Sequence, residues 1–132
     1  MIELVEHTGE LEMHVSAPTR EGIYAEALRG LAEQVSEAAN AEGRERRRVE
    51  ITSSGPDTLL ADLLNEAIYL MDVDGFVATH VEVERLEEAS LRGSLVGARD
   101  PRARPLAKAA TYHGLVVRPV EDGWEGRVVL DV

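Results

Sequence analysis

Lys108-Ala109-Ala110-Thr111-Tyr112-His113 opens the last third of the chain, and the apolar runs Leu115 to Val120 and Trp124 to Leu130 follow it. Between those two runs stands Asp122-Gly123, a dipeptide suited to a tight hairpin turn. Two strands joined by such a turn are antiparallel, so Pro105 to Tyr112, Leu115 to Val120 and Trp124 to Leu130 read as the last strands of an antiparallel sheet. The stretch closes on Leu130-Asp131-Val132, on a strand rather than in a polar tail. That reading puts the Asp131 carboxylate and the terminal carboxylate of Val132 on adjacent residues, both acceptor-only when ionised. Two anions held in one place call for a compensating charge or open water; a metal ion or Lys108 could supply the charge. Asp131 shares its strand face with Glu125 and Arg127, so a solvated strand end is the competing reading.

Lys108 is the only lysine, beside thirteen arginines. An ammonium is a compact, strongly hydrated charge and does not substitute for a guanidinium at a chemical site. Either this position requires an amine or one lysine has survived by chance in an arginine-rich composition. The bulk composition bounds the rest. At 132 residues, with 44% apolar and 30% charged residues, the chain suits one globular domain spanning 1–132. Aromatic residues are few, so Leu, Val, Ile and Ala must build the core. Without cysteine there are no disulfides and no thiolate metal ligands. No apolar run is long enough to span a membrane, and Met1-Ile2-Glu3-Leu4 is no signal peptide, so a cytoplasmic location is expected. The formal net charge of −11 opposes independent binding to nucleic acid, apart from a local basic cluster at Arg44 to Arg48. It favours docking on a basic protein surface, or holding metal ions.

Nearer the start, Met1 to Glu6 and Leu11 to Val15 read as an antiparallel strand pair, with Leu11, Met13 and Val15 inward and His7-Thr8-Gly9-Glu10 at the exposed connection. Thr19 N-caps a first helix whose stripe is Ile23, Ala27, Leu28, Leu31 and Val35, fading near Asn40. Ala41 to Arg46 is a charged connection into a strand over Arg47 to Thr52. After the turn Ser53-Ser54-Gly55-Pro56, Asp57 is the expected N-cap of a second helix. Its stripe is Leu60, Leu63, Leu64, Ala67, Ile68 and Met71, and Gly75 is its left-handed cap. Phe76 to Leu86 is a long strand with Val77, Val81 and Val83 on one face. Ala89 to Val96 returns, and Gly97 to Arg104 is a loop. The expected fold is α+β: a largely antiparallel sheet of about seven strands with two helices packed on it.

The chemistry-bearing residues are few. His7 and His14 lie on the two strands of one hairpin, which could bring them together, although surface histidines are the commoner outcome. His80 falls opposite the valine face. Asp72-Val73-Asp74-Gly75 begins like a calcium loop, but Val77, Thr79 and Val83 stand where ligands are needed, so it is a helix end. There is no phosphate-binding glycine loop, no Gly-x-Ser-x-Gly elbow and no cysteine nucleophile, so a non-catalytic protein is expected.

Four segments together resemble the archease family: His7-Thr8-Gly9-Glu10, the helix end Leu63 to Asp72, Lys108 to His113, and Trp124 to Val132. They occur in order and span essentially the whole chain. The resemblance implies a small α+β accessory protein of the RtcB-type RNA-splicing ligase. That ligase joins a 2′,3′-cyclic phosphate or 3′-phosphate end to a 5′-hydroxyl end in tRNA splicing and RNA repair, using GTP and a divalent metal. The accessory protein promotes guanylylation of the ligase and repeated turnover. The family's functional positions fall on Glu10, Lys108 and Asp131, and its metal ligands on Glu10, Asp131 and Val132. The metal is calcium, magnesium or manganese. Two positions depart: the family pattern is His-Thr-Ala-Asp, whereas Gly9 and Glu10 stand here, and Glu10 is one methylene longer than aspartate. Two rivals are a stand-alone metal-dependent phosphoester hydrolase using the same carboxylates and a plain interaction protein that binds through an apolar helix face.

Overall fold

The computed structural model describes residues 1–34 and 45–132. Its organising element is the second helix, α2 (Pro56–Asp74). Apolar residues recur there in adjacent pairs at each turn: Leu59-Leu60, Leu63-Leu64, Ala67-Ile68. Such a stripe is too wide for one contact surface, and a helix carrying it must be covered from more than one side. The first helix, α1 (Arg20–Glu33), is similar, with Ile23, Tyr24, Ala27, Leu28, Leu31 and Ala32 all buried.

Seven strands supply the cover: β1 (Ile2–His7), β2 (Glu10–Ala17), β3 (Glu45–Thr52), β4 (Phe76–Leu86), β5 (Ser90–Arg99), β6 (Ala109–Val120) and β7 (Gly123–Asp131). They form two sheets, ordered β1-β2-β7-β6 and β3-β5-β4, and every neighbouring pair is antiparallel. Each helix contacts strands of both sheets, and among the described residues no strand of one sheet contacts a strand of the other. The α+β reading therefore holds, with the strands divided between two sheets and the helices between them. The main core draws Leu11, Met13 and Leu130 from the larger sheet and Val49, Leu91 and Leu95 from the smaller. Tyr24 is wholly buried; its hydroxyl donates to the Pro56 carbonyl (2.9 Å), and burial pushes its pKa up to about 12.

Thr19 caps α1 as expected, its hydroxyl accepting from the Gly22 N–H (3.1 Å). Gly75 closes α2 at φ 66°. Val35, Asn40, Arg44 and most of the charged connection fall outside the described residues. Elsewhere the structure corrects the sequence. Gly55, not Asp57, is the N-cap of α2, because Pro56 takes the first helical position and leaves Asp57 inside the first turn. Val77 does not share a face with Val81 and Val83. A bulge between Ala78 and His80 inserts one residue and reverses the alternation. Phe76 and Ala78 thus join the main core, while Val77 enters a small second cluster with Ala32, Met71 and Ala103. Gly97 to Arg99 continue β5 because β4 pairs with them as far as Phe76. Pro105 to Lys108 precede the strand. Tyr112 and Leu115 to Val120 belong to one strand, β6, whose ladder breaks between Thr111 and Val116.

Arg46 pairs with Glu82, Arg48 with Glu84, and Arg47 with Glu45 (2.8 Å) and Asp74 (2.6 Å), so the described part of the basic cluster is neutralised across the smaller sheet.

The bulge in β4 brings its backbone close to β5. A Cβ on Gly97 would overlap the Val77 carbonyl oxygen. Gly97→Ala is therefore expected to lower stability by about 1–3 kcal/mol, the scale of overpacking. Urea unfolding should show a lower midpoint at unchanged slope; an unchanged midpoint would mean the strands part freely.

Candidate functional site

The site lies at one end of the larger sheet. Its position follows from the pairing of β2 with β7, which sets Glu10 directly opposite Asp131. Residues opposed in an antiparallel pair project from the same face. Both side chains are exposed, and neither forms an ion pair among the described residues. The hairpin partner of Glu10 is His7, and the β6 partner of Asp131 is Ala109, so one row across the sheet reads His7, Glu10, Asp131, Ala109. The last residue is tied down as well, the Val132 N–H donating to the Gly9 carbonyl (3.1 Å).

Lys108 joins this end through its backbone. Its N–H donates to the Asp131 carbonyl at 2.7 Å. Its side chain lines a groove beside α2, together with Asn65, Ile68, Tyr69, Asp72 and Arg104. Among the described residues no carboxylate lies within ion-pair distance of its ammonium. The structure thus brings Glu10 and Asp131 together and sets Lys108 next in line, with its amine on the α2 side.

The two hairpin histidines do converge, on a residue the sequence did not single out. His7 Nε2 lies 3.6 Å and His14 Nε2 3.5 Å from Oε2 of Glu12, whose other oxygen accepts from Arg127. Alternation along β2 puts Glu12 and His14 on one face; the diagonal neighbours are set by tertiary pairing and had no local signal.

Asn65 was also missed as a positioning residue. Its amide nitrogen donates to the Ala110 carbonyl (3.0 Å) and its amide oxygen accepts from the Ala110 N–H (2.7 Å). Eight residues earlier, Asp57 accepts from the Val117 N–H (2.8 Å). Tyr112 donates its phenol to Asp62, and that bond holds the Tyr112 pKa above its ordinary value. Through these side chains α2 fixes β6, and with it Lys108. A polar residue amid the apolar pairs of α2 was the available signal for Asn65.

With this arrangement in hand, the comparisons with known proteins are decisive. The archease protein family model (MTH1598/TM1083) matches residues 3–132. The chain belongs to the archease family. Curated archeases similar to it include that of Methanopyrus kandleri, 31% identical and aligned over 98% of both chains. The archease of Methanosarcina barkeri is 27% identical over 98% of this chain and 94% of its own. Among solved structures, Methanobacterium thermoautotrophicum protein 1598 superposes with a TM-score of 0.77 at 26% identity, covering 99% of this chain and 98% of that one. A Thermotoga maritima protein described as "an archease, possible chaperone" shares the fold, with a TM-score of 0.67 at 21% identity over 100% of this chain and 98% of its own.

The two carboxylates offer oxygen donors, which suit a hard divalent cation, and the His7 imidazole stands in the same row. Among the described residues no group of three or more His, Asp or Glu side chains could hold a metal ion. The two carboxylates alone do not complete a metal site; magnesium held by one or two carboxylates takes its remaining ligands from water or phosphate oxygens.

Two predictions follow from this geometry. Asn65→Ala strands both polar groups of Ala110 and should cost about 1–3 kcal/mol, with faster amide exchange at Ala110. Asp131→Asn removes a like charge facing Glu10 and should stabilise the metal-free protein by about 0.2–1 kcal/mol in urea unfolding. A destabilised Asp131→Asn protein would show that the carboxylate has a structural partner.

Proposed function

We propose that this archease is a non-catalytic accessory protein of an RtcB-type RNA-splicing ligase, promoting ligase guanylylation and multiple turnover in tRNA splicing or RNA repair. The observation that carries this reading is the cross-strand register that holds Glu10 opposite Asp131, with Lys108 bonded to the Asp131 carbonyl. On the resemblance read from the sequence, the family's functional positions would fall on these three residues. The description of the Thermotoga relative as a possible chaperone supports an accessory role.

In this reading Glu10 and Asp131 hold calcium, magnesium or manganese, with Val132 as a further ligand. When bound, the ion supplies positive charge that draws phosphate oxygens. The chain's own residues do the rest. The β2–β7 ladder fixes the spacing of the carboxylates, and the bonds from Gly9 and Lys108 hold the strand end that carries them. Two like charges held in register cost stability, and a cation offsets that cost. The excess negative charge suits a basic partner, and paired arginines leave little basic surface for RNA on the smaller sheet. The partner is the ligase protein, and the chain works in the cytoplasm, where that ligase acts.

The test is ligase turnover with RNA ends in large excess, GTP and manganese present, with and without this protein. The expected result is a change from single to repeated turnover, lost in a folded Asp131→Ala variant. Full stimulation by Asp131→Ala would remove the carboxylate site from the mechanism. Phosphoester turnover by the purified chain alone would move the assignment to a hydrolase. In parallel, millimolar divalent cation should raise the melting temperature of the natural chain and leave Glu10→Gln and Asp131→Asn unshifted.

A further inference from the structure

Cations on this protein are mostly spoken for. Arg29, Arg46, Arg47, Arg48, Arg99 and Arg118 all contact carboxylates, and Arg127 contacts Glu12. Two arginines differ: Arg20 donates to the Glu87 and Glu88 carbonyls and the Tyr24 hydroxyl, and the Arg104 guanidinium donates to the carbonyls of Pro101 (3.1 Å) and Ala103 (2.8 Å). Among the described residues Arg104 has no carboxylate partner, and neither has Lys108. These two cations line the same groove, between α2 and residues 104–108, with a volume of about 500 Å³. That lies within the roughly 300–1,000 Å³ of small-ligand sites. A cavity of 520 Å³ on the outer face of the larger sheet offers no such cations, because Arg118 and Arg127 there are paired with Glu125 and Glu12.

The remaining walls are equally specific. Ile68 supplies an apolar wall, and Tyr69 stands beside it with 58% of its surface exposed. Leu106, 47% exposed, lies on the same segment as Arg104 and Lys108. An aromatic face accepts a planar ring, and two unpaired cations accept phosphate. Asp72 is the one carboxylate in the lining and opposes an anion there.

We propose that this groove binds a nucleotide, its phosphates on Lys108 and Arg104 and its base on Tyr69. Binding belongs to the isolated chain and does not rest on the ligase reading.

The experiment is an NMR titration of the full chain, without ligase, using nucleoside triphosphates, the matching nucleosides and inorganic pyrophosphate. Nucleoside triphosphate should give saturable shifts at Ile68, Tyr69, Asp72 and Lys108. Arg104→Ala and Lys108→Ala should each weaken triphosphate and pyrophosphate by about tenfold, the scale of one charge-assisted hydrogen bond. Tyr69→Ala should weaken the triphosphate alone, and Asp72→Asn should tighten both. Absence of saturable shifts at millimolar nucleotide, shifts centred elsewhere, or binding unaltered in the Arg104→Ala/Lys108→Ala pair would overturn the proposal. Equal response of triphosphate and pyrophosphate to Tyr69→Ala would overturn the nucleotide assignment in favour of inorganic phosphate. Ligase stimulation that persists without nucleotide binding would leave the accessory role standing and this site refuted.

Discussion

The free edge of β6 is the constraint on which the rest of the molecule depends. In the order β1-β2-β7-β6 this strand has a neighbour on one side only, and its outward N–H and C=O groups need partners. Helix α2 provides them through side chains. The Asn65 amide engages both polar groups of Ala110, as a neighbouring strand would, and Asp57 takes the Val117 N–H. One helix thereby closes a sheet edge, covers the core and fixes the strand that leads out of Lys108.

The same helix explains the layering. Its paired apolar residues need cover on two sides, and the two sheets give it. The outer face of the smaller sheet is then left to solvent and carries cross-strand pairs such as Arg46–Glu82 and Arg48–Glu84. Exposed pairs of this kind contribute little stability each. Their consequence is electrostatic: they neutralise the basic cluster where it stands. The acidic excess is left elsewhere, and part of it collects where β2 begins beside the end of β7.

At that end the fold accepts an unfavourable arrangement. Glu10 and Asp131 face one another across the β2–β7 ladder, and neither forms an ion pair among the described residues. Glu10 is one methylene longer than an aspartate would be at that position. Lys108 stands between this carboxylate end and the α2 groove, bonded by its backbone to one and lining the other with its side chain.

The sequence by itself determined the helices, most strands, the Thr19 and Gly75 caps, the tight turn before Trp124, and the antiparallel α+β class. These rest on periodicity, capping and turn chemistry, which act over a few residues. The Lys108, Asp131 and His7 to Glu10 segments were legible through their order and type. Only the tertiary structure decided that the strands form two sheets, that a bulge turns Val77 away from Val81, and that Glu10 faces Asp131. It alone set Asn65 on Ala110 and His7 and His14 on Glu12. Each of these depends on register between segments far apart in the chain, and register is fixed by the collective burial of the core rather than by any local pattern.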